Sequence, residues 1–457
     1  MAKPTVSLPQ GTRDFGPDTV RKRQYIFSTI RSVFELYGFQ PLETPAMENL
    51  ETLMGKYGEE GDKLIFKILN NGLDNKNKEQ LFREGFEKIL QGRSTKDISE
   101  RALRYDLTIP FARYVAMNHG QLSFPFKRYQ IQPVWRADRP QRGRYREFYQ
   151  CDADVVGSTS LLNEVELTTL YSETFKRLGI PVEIKLNSRK ILAALAEVCG
   201  GAEKMIDITV AIDKLDKIGL EKVEEELQQK GLGNDQIGTI RNYLQVSGSN
   251  EDRIAQIKDI LGHTTSGGAG INELEFILGY FDKVNMPPVA VDFTLARGLN
   301  YYTGIIFEVK ALGANMGSIG GGGRYDDLTG LFGVPGIPGV GISFGVDRIY
   351  DVMEELSLFP PDVQVGSQVL FFNLGDAESR KAFSLLLALR QAGIRAELFH
   401  ENTKFDKQFK YAEKKHIPFV IIIGSKELAE NNGIIKDLRT GEQKAVSLDE
   451  LVNFSFL

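Results

Sequence analysis

Hydrophobic and polar residues alternate in two segments of the chain that flank a short loop rich in arginine. The first segment runs from Phe126 to Trp135 and the second from Tyr145 to Asp154. A period of two is typical of β-strands, and two such segments around a short loop predict an antiparallel hairpin. In the second strand Phe148, Gln150, Asp152 and Asp154 share one face, which is mostly polar. Since buried polar side chains need partners, we expect this face to line a ligand site rather than an apolar core.

The hydrophobic pattern also divides the rest of the chain into regions. Residues 18–37 and 161–178 have the apolar spacing of amphipathic helices, and short strand patterns lie at 181–186, 289–296, 305–310 and 340–344. Residues 187–280 are charged, helix-rich and punctuated by glycine, which predicts an inserted helical subdomain. Beyond a linker at 358–367, short apolar strands alternate with helices, which predicts an α/β domain with a mainly parallel sheet over 367–457.

Composition restricts the classes of function that fit. The chain has 457 residues, a formal net charge of −5 and two cysteines. Cys151 and Cys199 cannot form a disulfide framework, and with four scattered histidines they give no zinc pattern. No apolar segment is long enough to cross a bilayer, so we expect a cytoplasmic protein. The acidic balance argues against indiscriminate nucleic-acid binding, and any RNA contact must come from local patches.

The loop of the predicted hairpin is a candidate anion site. Between Lys127 and Glu147 there are seven Lys or Arg residues and two acidic ones, and Arg136 directly follows the first strand. A guanidinium group there suits bidentate binding of a phosphate or carboxylate. A solvated basic hairpin without a ligand is the alternative.

Three further blocks concentrate polar, aromatic and glycine residues. ARGLNYYTG (296–304) predicts either a ligand-binding turn or a turn with aromatic core contacts, and GGGGRYDDL (320–328) lets the backbone approach a ligand closely but lacks the Lys-Ser/Thr of a P-loop. GVGISFGVDRI (339–349) predicts a strand, a turn and a helix with Arg348 in its first turn. A cation there opposes the helix dipole, which favours an anionic ligand for Arg348.

In this order the blocks resemble the class II aminoacyl-tRNA synthetases. The hairpin with Arg136 resembles motif 2 of that family, GVGISFGVDRI resembles motif 3, and helix 18–37 with PLETP (41–45) resembles the dimer-forming motif 1. ARGLNYY and GGGGRYDDL, together with LRYDLTIPFARY (103–114) and the basic run 404–412, are similar to the histidyl-tRNA synthetases.

The resemblance implies a fold, a reaction and partners. It implies an α+β catalytic domain with a mainly antiparallel sheet (1–186 and 281–358), the helical insertion at 187–280, a C-terminal α/β anticodon-binding domain (367–457) and a homodimer formed through motif 1. Such an enzyme forms histidyl-adenylate from L-histidine and ATP, with Mg²⁺ accompanying the ATP and no tightly bound cofactor or protein metal site. The histidyl group then passes to histidine tRNA.

Two other classes of protein stay open. One is a non-catalytic, histidine-sensing regulatory paralogue, although such paralogues typically lose the ARGLNYY-type block and the anticodon domain. The other is a synthetase-like enzyme that acylates something other than tRNA.

By the same resemblance, each predicted site residue has an expected role. Arg136 and Arg297 would hold the α-phosphate and the reacting carboxylate as the catalytic pair, with Arg297 in the position that a metal ion occupies in related enzymes. Arg144 and Arg348 would bind the β- and γ-phosphates. The histidine ammonium group would be bound by Asp106, Thr108 and Gln150, and the imidazole by Asp154 and Tyr302 with Tyr301 as a wall. The expected tRNA contacts are Gln141, Arg142, Lys404, Lys407 and Lys410.

The chain departs from the common bacterial pattern at a few positions. Asp106-Leu-Thr stands where many bacterial enzymes have Glu-Gly-Thr, and Asp154 stands where many have Glu. Both changes keep an acidic group, so they alter the reach of the side chain. Asn300 replaces an aspartate that is common in its motif.

Overall fold

The structure, a computed structural model, describes residues 6–93, 95–281, 289–296, 301–364 and 366–456. It contains two compact units. The first consists of the chain up to Asp14 and Arg23–Leu358, and the second of Phe15–Lys22 and the chain from Phe359. Within the described ranges, no helix has the length and apolar character needed to span a membrane.

The elements before residue 359 are eleven strands and fourteen α-helices among the described residues. The strands are β1 (Gln40–Pro41), β2 (Met47–Asn49), β3 (Lys67–Ile68), β4 (Arg101–Leu103), β5 (Phe126–Trp135), β6 (Glu147–Val156), β7 (Val182–Ser188), β8 (Val289–Val291), β9 (Ile305–Ala311), β10 (Gly320–Tyr325) and β11 (Gly339–Gly345). The helices are α1 (Pro17–Leu36), α2 (Leu50–Leu53), α3 (Gly58–Lys63), α4 (Glu79–Leu90), α5 (Thr108–Asn118), α6 (Leu162–Arg177), α7 (Arg189–Val198), α8 (Met205–Ile212), α9 (Leu215–Ile218), α10 (Leu220–Gln229), α11 (Asn234–Leu244), α12 (Asn250–Leu261), α13 (Thr265–Phe281) and α14 (Val346–Glu355).

An eight-stranded sheet with the order β1-β5-β6-β11-β10-β9-β7-β8 forms the centre of the first unit. Its two outermost pairs, β1 with β5 and β7 with β8, are parallel, and all other neighbours are antiparallel. The expected α+β architecture with a mainly antiparallel sheet is therefore confirmed. The predicted hairpin is β5–β6, and strands β2, β4 and β3 form a separate small sheet.

Side chains alternate between the two faces of this sheet. On β11, Phe344 points into an aromatic cluster, with ring centres 4.8 Å from Tyr171 on α6 and 5.8 Å from Phe34 on α1. The neighbouring Ser343 points the other way and faces Asp152 on β6. Cys151 is fully buried on the apolar face, as its alternation predicts. One face is therefore apolar core, and the opposite face carries polar groups.

Strand β10 contains the sequence Gly320–Gly323, where the sequence predicts only a Gly-rich passage. Glycine is a weak strand former, so its role here comes from packing. A Cβ built on Gly322 would lie 2.2 Å from the carbonyl oxygen of Gly341, and one on Gly320 would lie 2.8 Å from the Tyr171 ring. The strand can occupy the middle of the sheet because it lacks these side chains.

The second unit has a five-stranded sheet with the order β13-β12-β14-β15-β16. Its elements are β12 (Val369–Phe371), β13 (Ala396–Leu398), β14 (Phe419–Ile422), β15 (Asn432–Asp437), β16 (Gln443–Ser447), α15 (Asp376–Gln391), α16 (Phe405–Lys414) and α17 (Ser425–Ala429). Strand β12 is parallel to both of its neighbours, whereas β15 is antiparallel to β14 and to β16. The expectation of a mainly parallel sheet is thus wrong for its second half. Only five residues join β15 to β16, too few for the crossover that a parallel pair needs.

Candidate active site

A cavity of about 460 Å³ opens on the polar face of the eight-stranded sheet. Its walls come from β6, β9, β10 and β11, from the loop between β5 and β6, and from the start of α14. Of the polar strand face predicted from the sequence, Phe148 and Gln150 line the cavity, whereas Asp152 and Asp154 do not. Five of the predicted site residues contribute to it: Arg136, Arg144, Gln150, Tyr302 and Arg348.

Arg136 is held by main chain and aromatic contacts. Its Nε donates a hydrogen bond to the carbonyl oxygen of Tyr105 at 3.0 Å, and its guanidinium carbon lies 4.3 Å from the centre of the Tyr105 ring. Among the described residues, no carboxylate forms an ion pair with Arg136. The side chain is thus positioned at the cavity with charge available for an anionic ligand.

Arg348 is fixed by two backbone carbonyl groups. Its Nε donates to Gly143 at 3.0 Å and its Nη1 donates to Ser318 at 2.7 Å. Gly143 has a φ of +69°, and a Cβ there would lie 3.3 Å from Arg348 Cγ, so the loop needs glycine at this point. The helix dipole of α14 disfavours a cation at this position. The two carbonyl groups stabilise the Arg348 guanidinium group by accepting its hydrogen bonds. The side chain of Arg144, in the same loop, is exposed.

The side-chain amide of Gln150 has a hydrogen-bond partner at its nitrogen but none at its oxygen within the described ranges. Its Nε2 donates to the hydroxyl of Ser343 at 2.9 Å. Its Oε1 is buried and has no hydrogen-bond partner within the described ranges. Gln150 lines the cavity. Its unpaired oxygen is therefore a hydrogen-bond acceptor for a cationic ligand group, which carries only donors.

Asp154 lies behind the cavity wall, in a set of buried contacts. Its Oδ1 accepts a hydrogen bond of 2.5 Å from the Tyr325 hydroxyl, and its Oδ2 lies 2.8 Å from Nη2 of Arg128. Burial raises the pKa of the Asp154 carboxyl, and the Arg128 charge and the Tyr325 hydrogen bond oppose that rise. Oδ1 is therefore hydrogen-bonded, whereas Oδ2 is within ion-pair distance of Arg128 but has no hydrogen-bond partner among the described residues.

Asp106 organises a second group of predicted residues. It accepts hydrogen bonds from the hydroxyls of Tyr57 (2.9 Å) and Tyr301 (3.1 Å) and from the Ile109 amide (3.1 Å) at the start of α5. Burial raises the pKa of the Asp106 carboxyl, and these hydrogen bonds partly offset the rise because they stabilise the ionised form.

The two adjacent tyrosines are held through this group. Tyr301 packs edge-on against Tyr302, with ring centres 5.1 Å apart, and Thr108 at the start of α5 partly offsets the rise in the pKa of the Tyr301 phenol. Burial raises the pKa of both phenols well above its usual range, so both remain protonated donors. Asp106 thus positions Tyr301, and Tyr301 supports Tyr302 at the cavity.

The remaining predicted residues lie elsewhere. Arg297 and Asn300 are outside the described residues. Gln141 and Arg142 are exposed at the turn of the arginine loop, where Arg142 forms an ion pair of 2.6 Å with Glu355. The lysines at 404, 407 and 410 are exposed on the second unit at or beside α16.

The sequence patterns assign no role to four residues that contribute contacts here: Arg128, Tyr325, Ser343 and Tyr57. Arg128 is opposite Asp154 in the predicted hairpin, so its contact follows from counting the register. Tyr325 and Ser343 lie in blocks that the sequence singles out, without a signal for their partners. Nothing in the sequence around Tyr57 points to Asp106.

The cavity combines cationic groups with hydrogen-bond acceptors. Within the described part of the chain, no cluster of three or more metal-ligating side chains is present. Both cysteines are buried, and burial raises the pKa of each thiol. The arrangement therefore suits binding and charge stabilisation of an anionic, polar ligand.

Comparison with known proteins gives a consistent set of matches. The model of the histidyl-tRNA synthetase family matches residues 93–349, and the model of the anticodon binding domain matches residues 368–455. A histidine–tRNA ligase of Bacteroides fragilis is 54% identical over 454 residues, which cover 99% of this chain and 98% of the relative. One from Phocaeicola vulgatus is also 54% identical, with the same coverage. The crystal structure of histidyl-tRNA synthetase from Nostoc sp. PCC 7120 is similar with a TM-score of 0.83 and 32% identity, and the match covers 99% of both chains.

Proposed function

The chain belongs to the histidyl-tRNA synthetase family, and we propose that it attaches L-histidine to histidine tRNA in an ATP-dependent reaction through a histidyl-adenylate. The observation that supports the proposal is the convergence of Arg136, Arg348 and Gln150, whose amide oxygen is unpaired, on one cavity. The regulatory alternative is not favoured, because the relatives at 50–54% identity are histidine–tRNA ligases and match nearly the whole chain.

The first step joins the histidine carboxylate to the α-phosphorus of ATP. A carboxylate oxygen forms the new P–O bond, and the bond to pyrophosphate breaks. This reaction needs positioning and charge neutralisation but no side-chain nucleophile. Arg136 neutralises the charge that develops on the α-phosphate, and its contacts with Tyr105 hold its guanidinium group in place. Arg297 is proposed to act on the same phosphate and on the reacting carboxylate from the other side, and Arg144 and Arg348 to bind the β- and γ-phosphates.

Histidine is proposed to bind on the polar strand face. Its ammonium group would donate to Gln150 Oε1 and interact with Asp106 and Thr108. The imidazole would meet Asp154 and Tyr302, with Tyr301 as a wall. A ring that can both donate to a carboxylate and accept from a phenol is recognised far better by polar groups than by an apolar pocket.

Mg²⁺ is proposed to enter with ATP. Magnesium is usually held by substrate phosphates with one or two carboxylates, and Glu308 in the cavity wall offers such a group. The ion would supply further neutralisation of the phosphate charge.

The remaining proposals concern partners, location and domains. We propose that Gln141 and Arg142 contact the acceptor stem and that Lys404, Lys407 and Lys410 contact the anticodon region. We also propose a cytoplasmic homodimer formed through α1 and residues 41–45. The proposed domains are 1–186 with 281–358 for catalysis, 187–280 as the helical insertion and 367–457 for anticodon binding.

ATP–pyrophosphate exchange with each of the twenty amino acids tests the first step. We expect exchange with histidine alone. Exchange with another amino acid would refute the specificity, and no exchange at all, together with histidine binding, would support the regulatory alternative. Charging of histidine tRNA then tests the second step, which an enzyme acylating a different acceptor would fail.

A further inference from the structure

The hydroxyl of Ser343 lies between two polar side chains of the neighbouring strand. Ser343 on β11 is directly opposite Asp152 on β6, so the two side chains are neighbours on the same face of the sheet. The Ser343 hydroxyl accepts the hydrogen bond of 2.9 Å from Gln150 Nε2. The positions opposite Gln150 and Asp154 are both glycine, Gly345 and Gly341, so Ser343 is the side chain of β11 that reaches this face.

Counting hydrogens fixes the direction of the bonds that Ser343 can form with these two side chains. A serine hydroxyl has one hydrogen, and an ionised carboxylate can only accept. A bond between Ser343 and an ionised Asp152 therefore uses the Ser343 hydrogen, and Ser343 can then only accept from Gln150. The amide of Gln150 must then present its NH₂ to Ser343, which leaves Oε1 as the group that faces a ligand.

We propose that the Ser343 hydroxyl donates a hydrogen bond to Asp152, and that Asp152 is a positioning residue that acts through Ser343 to hold Gln150 Oε1 toward the ammonium group of histidine. The inference rests on the proposed function and adds a residue that touches no substrate. If the hydrogen-bond direction were reversed, Ser343 would donate to Gln150 Oε1, and the NH₂ of the amide would face the ammonium group and repel it.

The chain of bonds is sensitive to pH near neutrality. Burial raises the pKa of the Asp152 carboxyl to about 7, and this rise exceeds the opposing effect of the Arg128 charge. One oxygen of Asp152, Oδ1, has no hydrogen-bond partner among the described residues. An ionised Asp152 can only accept, whereas a protonated Asp152 can also donate to Ser343, so protonation permits the reversed direction. Among the described residues, the charged or titratable groups that interact with Asp152 are Arg128, Asp154, Asp106, Arg104, Cys151, Tyr171 and Tyr302.

The sign of the effect follows from these directions. Well above pH 7 Asp152 is ionised and Gln150 is oriented for binding. As the pH falls through about 7, Asp152 takes up a proton and the affinity for histidine falls. The imidazole of free histidine titrates in the same range, so the comparison must cancel that contribution. The ratio of the histidine KM of a variant to that of the wild type, taken at each pH, cancels it.

The test is the KM for histidine in pyrophosphate exchange, measured between pH 6 and 8.5 for wild type, Ser343→Ala and Asp152→Asn. At pH 8.5 we expect Ser343→Ala to raise this KM about tenfold, which corresponds to one lost hydrogen bond to a charged group, with little change in kcat. The ratio to wild type should decline toward one at pH 6. Asp152→Asn should lose the pH-dependent component of the wild-type profile, and the double variant should be no worse than Ser343→Ala.

Controls separate positioning from general damage. The KM for ATP should be unchanged in both variants. Asp292→Asn removes a partly buried carboxylate whose pKa is lowered, so it does not titrate in this range, and its KM ratio should be independent of pH. An unchanged histidine KM in Ser343→Ala at pH 8.5, or a ratio that is the same at pH 6 and 8.5, would refute the proposal. A parallel rise in the ATP KM would refute it as well.

Failure of the proposed function gives a different result. A wild-type chain without histidine-dependent exchange would refute the function and the positioning role with it. An active wild type with pH-independent variant ratios would refute the positioning role alone.

Discussion

The carboxylate of Asp154 occupies the space beside Gly341 on the neighbouring strand. The two residues are paired directly in the sheet, and a Cβ built at position 341 would lie 1.9 Å from Asp154 Oδ1. The same oxygen accepts the hydrogen bond from Tyr325. Because the carboxylate is buried and held from two sides, it cannot move aside freely. Glycine at 341 is therefore a condition for the proposed imidazole site.

Gly341→Ala is expected to push Asp154 away from Arg128 and Tyr325. We expect the KM for histidine to rise roughly 10- to 100-fold through the loss of a charge-assisted contact, and the free energy of unfolding to fall by about 1–3 kcal/mol from overpacking. Exchange kinetics and urea denaturation measure the two effects. Gly279→Ala is the matched control, because a Cβ there meets nothing within 4 Å. A histidine KM equal to that of the control would contradict the imidazole role of Asp154.

Arg136→Ala is expected to lower the rate of histidine-dependent exchange by roughly two to three orders of magnitude, the scale of one lost contact to a developing charge. The fold should persist, since the described contacts of Arg136 are with the carbonyl and ring of Tyr105 and with the Phe148 ring and the Arg146 carbonyl. Arg139→Ala, an exposed arginine of the same loop, is the control and should leave exchange unchanged. A rate for Arg136→Ala within threefold of wild type would remove this residue from the catalytic pair.

Arg324→Met is expected to destabilise the fold. Arg324 on β10 forms two bonds with Glu164 on α6, at 2.5 and 2.7 Å, and both side chains are almost fully buried. Removing one partner leaves an uncompensated buried group and should cost about 3–5 kcal/mol of unfolding free energy. Replacing both residues, Arg324→Met with Glu164→Leu, should recover a large part of that loss. A single variant as stable as wild type would show that the ion pair is dispensable.

The sequence predicts the elements whose hydrophobic pattern is regular. The hairpin β5–β6 and helix α1 lie within one or two residues of their predicted positions, because alternation and amphipathic spacing are local signals. Strand β10 has no such signal. Glycine is required there because a Cβ would collide with the carbonyl of Gly341 or the ring of Tyr171. Both groups come from distant parts of the chain. The antiparallel pair β15–β16 was likewise missed, because the alternation of strands and helices before it favours parallel neighbours.

In the candidate site too, local features can be predicted from the sequence, whereas contacts between distant residues cannot. The arginine-rich loop and the polar face of β6 are visible in the sequence, and both contribute to the cavity. The basic residues nevertheless separate on folding: Arg128 is buried with Asp154, whereas Arg142 pairs with Glu355 at the surface. The support of Asp106 by Tyr57 and of Gln150 by Ser343 depends on tertiary contacts, for which single-sequence patterns carry no signal.

The exposed lysines at or beside α16 offer a test of tRNA binding that does not depend on the cavity. Lys404 and Lys410 are exposed and have no ion-pair partner among the described residues, whereas Lys407 pairs with Glu401 at 3.0 Å. Replacing Lys404 and Lys410 by alanine should raise the KM for histidine tRNA. If each lysine neutralises one phosphate, the slope of log affinity against log salt should become shallower by about two.

The matched control for these lysines is the pair Lys426→Ala and Lys444→Ala, which makes the same change in charge at two other exposed positions of the second unit. Binding of histidine tRNA is measured for both double variants by fluorescence titration between 50 and 300 mM salt, a range in which counterion release gives a linear response. We expect the control to keep the wild-type slope. If specific phosphate contacts are made by Lys404 and Lys410, only their removal should change the slope. Equal slopes for the two double variants would therefore mean that these lysines contribute only general positive charge.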